Sequence, residues 1–296
     1  MTANTKARTV RKQEQTPGII VPQFFNLDAL KFFQKQPDNK YRFAMTSPPY
    51  FGKLRRYGGR SGEMDLAEYC AWQVQVIAEA CRVTDGNVLW VVNNPVKKGV
   101  YQPANERIIV ALHAIGLVVK RPIIWHKNAG SSPKGMLRND YEQILVVSKV
   151  GARDVCHWDR IAEPPKYQTG GRYRQRNQVG SRVIGGRYPQ NDLANPGDVW
   201  RVTVGGGQMG FDGPDGNLAC GGYAPFPYKL ADMGVKVFSD EGDLVCDPMM
   251  GTGTVGAVCV RTGRYFEGND YDANVVKLAR KRIGRAIQYP DVPEDD

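Results

Sequence analysis

A glycine turn near the C-terminal end carries the first residues whose types and spacing could do chemistry. Gly251, Gly253 and Gly256 match the pattern G-x-G-x-x-G, and Asp270 lies 19 residues after the first of them. Glycines in such a turn let the backbone approach a ligand, and the N-terminus of the following helix favours phosphate-like groups. An acidic side chain at the end of the next strand is typical of a residue that binds ribose. The segment therefore predicts a site for a nucleotide-containing cofactor.

A proline turn near the N-terminal end, Thr46-Ser47-Pro48-Pro49-Tyr50, is the second such segment. The two prolines fix their own φ and bias the preceding residues out of the helical region, which holds the carbonyls in one direction. An exocyclic amine of cytosine or adenine is a poor nucleophile because its lone pair is delocalised, and acceptors aimed at its two N–H bonds would localise that lone pair. Ser47 Oγ and the Pro48 carbonyl are the candidate acceptors, and Tyr50 could stack on a base swung out of the duplex. Together the two segments point to a methyl donor and a flipped base.

Two classes of cofactor compete for the glycine turn. A nicotinamide enzyme would share both the glycine pattern and the ribose-binding acid. The residues after the turn suffice for one crossover unit and a helix, however, whereas a dinucleotide fold needs several more strands. The missing strands must come from the N-terminal half, so we expect a circularly permuted sheet in which the strands ending at Thr46 and Asp247 are neighbours. A single adenosyl cofactor fits this order better than NAD, and a DNA-binding protein without catalysis is a further alternative.

The hydrophobic pattern predicts alternating strands and helices, which favours an α/β fold with a parallel sheet. Strands are predicted at 42–46, 87–92, 117–125, 142–149, 244–247 and 265–270. Helices are predicted at 66–82, 105–114, 254–261 and 273–287. In the last helix we expect Val276, Ala279, Ile283 and Ile287 to face the core, and Arg282 to lie among solvated basic side chains.

The charge of the chain favours a polyanionic partner. Its 296 residues include 40 Lys and Arg against 30 Asp and Glu, a net charge of +10. Between Arg160 and Gln190, seven basic residues stand against one Glu, with five glycines and three tyrosines interleaved. Such a stretch can follow a phosphate backbone, although a solvated loop is the alternative. The candidate DNA contacts are Arg172, Arg174, Arg176, Arg182 and Arg187.

Cysteine and histidine usage argues against a metal site. The six cysteines show no paired metal-ligand spacing, and several lie in apolar runs, as expected in a reducing compartment. The three histidines are scattered, so neither a zinc site nor a Ser/His/Asp triad is indicated. No segment resembles a signal peptide or an apolar membrane span. We therefore expect a cytoplasmic protein whose residues 1–18 form a flexible basic arm.

The order of the segments resembles the beta group of amino-methylating DNA methyltransferases, which occur in bacterial restriction-modification systems and phages. Thr-Ser-Pro-Pro-Tyr comes first, a basic variable region follows, and Asp-Pro-x-x-Gly-x-Gly-Thr comes last. Further segments that resemble the family are Asn195-Pro196-Gly197-Asp198-Val199-Trp200, Ala224-Pro225-Phe226-Pro227, Trp125-His126-Lys127 and Tyr141-Glu142-Gln143-Ile144-Leu145-Val146. The chain departs from the family pattern at Met249, Thr252, Tyr223 and Asn26-Leu27.

The resemblance implies a fold of the α/β class: a circularly permuted Rossmann-like sheet of S-adenosylmethionine-dependent methyltransferases, with an inserted basic target-recognition region. It divides the chain into an arm at 1–18, a catalytic half at 19–150, the insert at 151–222 and a cofactor-binding half at 223–290. It implies S-adenosyl-L-methionine as cofactor and double-stranded DNA as substrate, with a cognate restriction endonuclease as a candidate partner. The recognition sequence and the oligomeric state stay open.

The resemblance also implies the site residues. The catalytic residues would be Ser47, Pro48, Pro49 and Tyr50. The cofactor-binding residues would be Asp28, Phe226, Asp247, Pro248, Gly251, Gly253, Thr254 and Asp270. In the resembled family a Ser before Pro-Pro-Tyr is associated mostly with cytosine N4, so we expect methylation of the N4 amine of a flipped cytosine, with adenine N6 as the alternative.

Overall fold

The computed structural model describes residues 21–52, 64–127, 135, 137–164, 172–176, 182–187, 193–204 and 227–291, and for 172–176 and 182–187 it describes the backbone alone. The predicted arm at 1–18 and the predicted cofactor contact Phe226 lie outside the described residues.

Strands and helices alternate over much of the described chain. The strands are β1 (Gln23–Phe25), β2 (Phe43–Thr46), β3 (Val88–Val92), β4 (Val96–Lys97), β5 (Val100–Tyr101), β6 (Val118–Val119), β7 (Ile123–His126), β8 (Tyr141–Ser148), β9 (Arg172–Arg176), β10 (Arg182–Arg187), β11 (Val199–Arg201), β12 (Leu244–Asp247) and β13 (Tyr265–Asn269). The α-helices are α1 (Ala29–Gln34), α2 (Leu66–Val83), α3 (Ala104–Ala114), α4 (Tyr228–Phe238), α5 (Thr254–Arg261) and α6 (Ala273–Gln288), with a 3-10 helix at Trp158–Ile161.

The main sheet has the strand order β1-β13-β12-β2-β3-β8-β7-β11, and β6 also pairs with β8. The strands from β1 to β3 are parallel, β8 is antiparallel to both β3 and β7, and β11 is parallel to β7. The late strand β12 lies between β13 and the early strand β2, with Cys246 opposite Ala44. The permuted order of the predicted sheet is therefore confirmed, and the predicted parallel pairing holds from β1 to β3 and between β7 and β11, while the pairs of β8 are antiparallel.

Helices cover both faces of the sheet. Side chains of β2 and β3 alternate between two cores: Phe43 and Leu89 pack with α4, α5 and α6, while Ala44 and Trp90 pack with α1, α2 and α3. This period-two alternation is what a strand buried on both faces requires. The long helix α2 begins with a capping box in which the Asp65 side chain accepts from the N–H of Glu68.

The predicted single strand at 117–125 is wrong, because β6 and β7 are separate. Pro122 lies between them and has no N–H to give to the ladder with β8. The predicted core position Ile287 is also wrong, since 44% of this residue is exposed. Ala286 is buried in its place.

The segment predicted as the insert contributes to two sheets. β9 and β10 form a separate antiparallel pair with Arg182 opposite Arg176 and Arg187 opposite Arg172. β11, from the same segment, adds an edge strand to the main sheet beside β7. Within the part of the chain that the structure describes, no helix is both long and apolar enough to cross a membrane.

Candidate active site

The proline turn and the glycine turn lie side by side at one edge of the sheet. Because β2 and β12 are adjacent and parallel, their carboxyl ends, at Thr46 and Asp247, leave the sheet at the same edge. The Thr46 side-chain oxygen is 3.5 Å from the Met249 carbonyl oxygen, which links the two turns directly. The expected meeting of these distant segments is therefore present in the fold.

The glycine turn is held by its own backbone and by the close approach of α6. Gly253 has φ of 86°, a left-handed conformation, and is the residue before the first turn of α5. A Cβ on Gly253 would lie 3.0 Å from the Ala279 Cβ, and one on Gly256 would lie 2.3 Å from Ile283 Cδ1. Only glycine allows both this backbone and this packing distance. Gly251, in contrast, also has positive φ, but apart from its chain neighbours no residue in the described ranges would lie within 4 Å of a Cβ there.

Asp270 joins the glycine turn to the end of β13. Its Oδ2 accepts from the Gly251 N–H at 3.0 Å, and its Oδ1 accepts from the Asp272 N–H at 3.0 Å. A carboxylate has about four acceptor positions, so these two bonds leave lone pairs on both oxygens for a ligand hydroxyl. Burial raises the pKa of Asp270, while its backbone hydrogen bonds lower it.

Asp247 is a buried carboxyl group beneath the same turn. It is 2% exposed, and its Oδ1 accepts from the Met249 N–H at 3.1 Å. Burial raises the pKa of Asp247 to about 8, against the lowering effects of hydrogen bonds from Thr46 and Met249. An unpaired carboxylate is costly in such a place, so this position favours either a proton or a nearby positive charge.

Asp28 caps α1, which follows the neighbouring strand β1. Its Oδ1 accepts from the N–H groups of Leu30 and Lys31 at 3.0 and 3.2 Å. Asn269 ties this corner to the glycine turn, because its Nδ2 donates to the carbonyls of Leu27 and Pro248, both at 2.9 Å. Asp28 is therefore held near the strand ends that carry Asp247 and Asp270.

Arg282 was expected in a solvated face of α6, and this prediction is wrong. Its side chain is 3% exposed and donates to Thr254 Oγ1 at 2.7 Å and to Thr252 Oγ1 at 3.3 Å. The guanidinium thus braces the glycine turn from within the protein. In the sequence, Arg282 directly precedes the predicted core position Ile283. This position alone did not distinguish Arg282 from the exposed basic residues of the same helix.

The Ser-Pro-Pro-Tyr turn is supported from α2. Tyr69 Oη donates to the Pro49 carbonyl at 3.2 Å, and the Tyr69 ring packs at 5.5 Å from that of Phe51. Within the described part of the chain, no residue donates a hydrogen bond to the Pro48 carbonyl. Tyr69 thus holds the Pro49 carbonyl in place, and the Pro48 carbonyl is an available acceptor.

The hydroxyl groups of Ser47 and Tyr50 belong to a hydrogen-bonded series that the sequence did not reveal. Ser47 Oγ and Tyr50 Oη are 3.2 Å apart, and Tyr50 Oη donates to Glu142 Oε2 at 2.6 Å. Lys127 Nζ donates to the other carboxylate oxygen, Glu142 Oε1, at 2.8 Å. Burial, followed by the negative charge of Glu142, raises the pKa of Tyr50 well above its usual value. The signal in the sequence was one acidic residue near the start of β8, a strand whose centre, Ile144 to Val147, is apolar.

The predicted DNA contacts lie on the β9–β10 pair. Arg172, Arg174 and Arg176 occupy alternate positions of β9, while Arg182 and Arg187 begin and end β10. Their side chains lie outside the described part of the structure, as does the whole of Phe226. Their contribution to binding stays a prediction.

The residues at this edge fit an adenosyl cofactor. The turn has an open side at Gly251, the Asp270 carboxylate retains acceptor positions, and Asp247 is suited to a neighbouring positive charge. These groups match a ribose hydroxyl and a sulfonium or ammonium group in chemistry.

Known methyltransferases are similar to this chain in sequence and in fold. Type II methyltransferase M.BglII of Bacillus subtilis is 25% identical over 262 residues, which cover 87% of this chain and 67% of that protein. The TTHA0409 protein of Thermus thermophilus, a putative DNA modification methylase solved in complex with S-adenosyl-L-methionine, has a TM-score of 0.60 and 23% identity, covering 90% of this chain and 95% of the other. PvuII DNA methyltransferase, which is cytosine-N4-specific, has a TM-score of 0.67 and 16% identity, covering 91% and 92% of the two chains.

These structural likenesses confirm the predicted fold class, and the expected cofactor is the one bound in the TTHA0409 complex. A family model described as DNA methylase, N6_N4_Mtase, matches residues 41–281, a range that includes both turns. The chain belongs to the N6_N4_Mtase family of DNA methylases.

Proposed function

We propose that this protein transfers a methyl group from S-adenosyl-L-methionine to the exocyclic N4 amine of a cytosine flipped out of double-stranded DNA. The observation that carries the proposal is the contact between the two turns, with Thr46 Oγ1 3.5 Å from the Met249 carbonyl oxygen. It places the Ser-Pro-Pro-Tyr turn, whose acceptors suit an amine, beside the glycine turn, which suits an adenosyl cofactor. Proximity of two reacting groups is itself a large part of such catalysis.

The cofactor would be held along the carboxyl ends of β1, β12 and β13. Asp270 would accept from the ribose hydroxyls with the lone pairs left free by Gly251 and Asp272. The open side at Gly251 would let the cofactor approach the turn closely, and Asp247 would offset its positive charge. When bound, this cofactor supplies an electrophilic methyl group on a sulfonium sulfur. The remaining proposed contacts are Asp28, Phe226, Pro248, Gly253 and Thr254.

The target amine would be activated by acceptors. Ser47 Oγ and the Pro48 carbonyl would each accept from one N–H bond of the amine, which favours a tetrahedral nitrogen with a localised lone pair. Pro49 would keep the Pro48 carbonyl in position, because each proline restricts the residue before it. Tyr50 would stack on the extruded base through the face of its ring.

The choice of cytosine over adenine depends on Ser47. In the resembled group a serine in this position mostly accompanies cytosine N4, whereas Asp or Asn there favours adenine N6. The family as a whole covers both N6 and N4 methylation, as its name states. Adenine N6 is therefore the second candidate, with the same groups in the same roles.

DNA would bind along the β9–β10 pair and the surrounding basic segment. The seven basic residues between Arg160 and Gln190 would neutralise phosphates and release counterions. Phosphate contacts of this kind position a duplex without selecting its sequence. The role proposed for these basic residues is therefore phosphate binding.

The test is transfer of tritium from labelled S-adenosyl-L-methionine to duplex DNA. We expect incorporation into DNA from cells that lack this enzyme, and less into DNA from cells that express it. Sequencing that separates N4-methylcytosine from N6-methyladenine would identify the base. If the folded protein binds the cofactor and DNA yet transfers nothing to diverse sequences, the chain is a non-catalytic DNA-binding protein. Tight NAD binding without methyl transfer would favour an oxidoreductase.

A further inference from the structure

The direction of the hydrogen bonds between Ser47, Tyr50 and Glu142 follows from the number of protons available. An ionised carboxylate can only accept, so the bond of 2.6 Å to Glu142 Oε2 uses the single hydroxyl proton of Tyr50. The Tyr50 oxygen is then an acceptor toward Ser47, which is 3.2 Å away. The Ser47 hydroxyl must therefore donate to Tyr50, since the one proton of the Tyr50 hydroxyl is already used in the bond to Glu142.

This direction determines which part of Ser47 remains for a substrate. With its proton directed at Tyr50, the serine oxygen presents lone pairs, and the serine is only partly buried. Successive donation toward a negative charge also polarises each hydroxyl in the series, which strengthens Ser47 as an acceptor. A hydroxyl that accepted from Tyr50 would instead have one lone pair occupied and its own proton directed elsewhere.

Lys127 holds the Glu142 carboxylate in the orientation that this arrangement requires. Its Nζ donates to Glu142 Oε1 at 2.8 Å, and the two side chains are 12% and 9% exposed. This bond occupies Oε1 and leaves Oε2 of the same carboxylate as the acceptor for Tyr50. The Lys127 ammonium also lies over the Trp125 ring at 5.7 Å from its centroid, which restricts its position. Glu142 lies on β8, and Lys127 directly follows β7, the strand that pairs with β8.

We propose that Glu142, oriented by Lys127, is a positioning residue that sets the hydrogen-bond direction of Tyr50 and thereby turns the lone pairs of Ser47 toward the target amine. This inference rests on the proposed function, because it assigns a purpose to Ser47 as an acceptor. It adds that the Tyr50 hydroxyl has a task separate from stacking by the Tyr50 ring. It also predicts that the Glu142 carboxylate cannot be replaced by its isosteric amide.

The substitution Glu142→Gln reverses the direction of the series. Lys127 would hold the amide oxygen, so the amide nitrogen would donate to Tyr50 Oη. Tyr50 would then donate to Ser47 Oγ and compete with the amine for its lone pairs. We expect kcat to fall on the order of 10- to 100-fold, which corresponds to one misdirected buried hydrogen bond. The dissociation constant for S-adenosyl-L-methionine should be unchanged, because Glu142 does not contact the glycine turn.

A double-mutant cycle with Tyr50→Phe separates this role from a structural one. Phenylalanine keeps the ring but removes the hydroxyl that connects Glu142 to Ser47. If Glu142 acts through that hydroxyl, Glu142→Gln should change kcat by less than about 2-fold in the Tyr50→Phe protein. Equal losses in the two backgrounds would overturn the inference, as would an undiminished kcat for Glu142→Gln alone.

A control variant, two folding measurements and a replacement variant keep the test decisive. Glu79→Gln is the matched control. Glu79 lies on α2 and pairs with Arg82, at 2.8 Å, instead of with the proline turn. The kcat of this variant should equal that of the wild type. Thermal melting and cofactor titration report whether each variant is folded. If Glu142→Gln does not fold, Lys127→Gln replaces it: this side chain can still donate to Glu142, so the direction is retained and kcat should fall less than about 3-fold. A Lys127→Gln loss as large as that of Ser47→Ala would overturn the inference. A wild-type protein that transfers no methyl group would instead refute the proposed function.

Discussion

Thr46 Oγ1 lies 3.5 Å from the carbonyl oxygen of Met249, although 203 residues separate the two in the chain. The distance is set by the pairing of β2 with β12, in which Val245 is opposite Phe43 and Cys246 is opposite Ala44. Because both turns begin directly after paired strands, their separation depends on sheet hydrogen bonds and little on loop conformation. Sites built on such elements hold reacting groups more accurately than sites on loops.

Ser47 and Asp270 are expected to divide the work between the amine and the cofactor. Ser47→Ala should lower kcat about 100-fold, because an acceptor for the transition state is lost, while cofactor affinity stays within about 2-fold of wild type. Asp270→Ala should weaken cofactor binding on the order of 10- to 100-fold, with a smaller effect on kcat at saturation. Single-turnover methyl transfer and calorimetric titration of the cofactor provide the two readouts. Similar losses of both parameters in both variants would contradict this division.

Gly251 and Gly253 are expected to respond differently to the same substitution. Gly253→Ala should lower the free energy of unfolding by more than about 2 kcal/mol. Left-handed backbone strain costs about 1–2 kcal/mol. Crowding adds to it, because the new Cβ would lie 3.0 Å from the Ala279 Cβ. Gly251→Ala should incur the strain alone, since beyond its chain neighbours no atom of the residues that the structure describes would lie within 4 Å of its Cβ. Its new methyl group would, however, face the proposed cofactor and weaken binding by about 10-fold. Urea unfolding and cofactor titration test this contrast, and equal losses of stability would contradict it.

Arg282 is expected to stabilise the glycine turn from the interior. Arg282→Met should lower the free energy of unfolding by about 3 kcal/mol, because the hydroxyl groups of Thr252 and Thr254 lose a buried donor. Cofactor affinity should fall as well, since both threonines belong to the turn. Lys281→Met is the matched control, because Lys281 is the exposed neighbour on the same helix. If the two variants unfold at the same urea concentration, the buried arginine has no such effect.

The sequence predicted best the elements whose buried apolar run stops at a turn. The bounds predicted for β12 and α5 agree with the observed Leu244–Asp247 and Thr254–Arg261, because each is a buried apolar run ended by a turn residue. The short pieces β1, α1 and the β4–β5 hairpin were missed, since none of them is a continuous buried apolar run. The helix α4 was also missed.

At the site, the sequence predicted backbone features more readily than side-chain partners. The neighbouring turns could be inferred, because glycine and proline act through local backbone geometry. The partners Glu142, Lys127 and Arg282 could not, because each lies far in sequence from the group it contacts. Their roles depend on the pairing of β8 with β7 and on the packing of α6, which become visible only in the folded protein.

The β9 arginines are expected to account for much of the salt dependence of DNA binding. Replacing Arg172, Arg174 and Arg176 by Gln should reduce the slope of log Kd against log salt by about 3, because each phosphate contact contributes about 0.9. Affinity should fall similarly for different DNA sequences, since phosphate contacts do not select bases. The matched control replaces three exposed basic residues of α6, Lys277, Lys281 and Arg285, by Gln. A slope that changes equally in both triple variants would mean that net charge, and not this strand, governs binding.

The buried carboxyl of Asp247 is expected to make the free protein less stable as pH rises. Its pKa is 3.8 in its ordinary state and about 8 in the folded protein, because burial disfavours the charge. Between these values the folded state retains a proton that the unfolded state has released, so the free energy of unfolding falls with rising pH and levels off above about 8. Asp247→Asn should reduce this decline but not abolish it, because burial raises the pKa of Asp270 in the same direction.

Urea unfolding without cofactor at several values between about pH 5 and pH 8 measures the decline. Asp291→Asn is the control, since Asp291 is exposed at the C-terminal end of the described residues and its substitution should leave the decline unchanged. Saturating S-adenosyl-L-methionine should also reduce the decline in the wild type, because its positive charge would favour the ionised form of Asp247 in the folded state. An equal decline in wild type and Asp247→Asn would show that this carboxyl group does not keep its proton on folding.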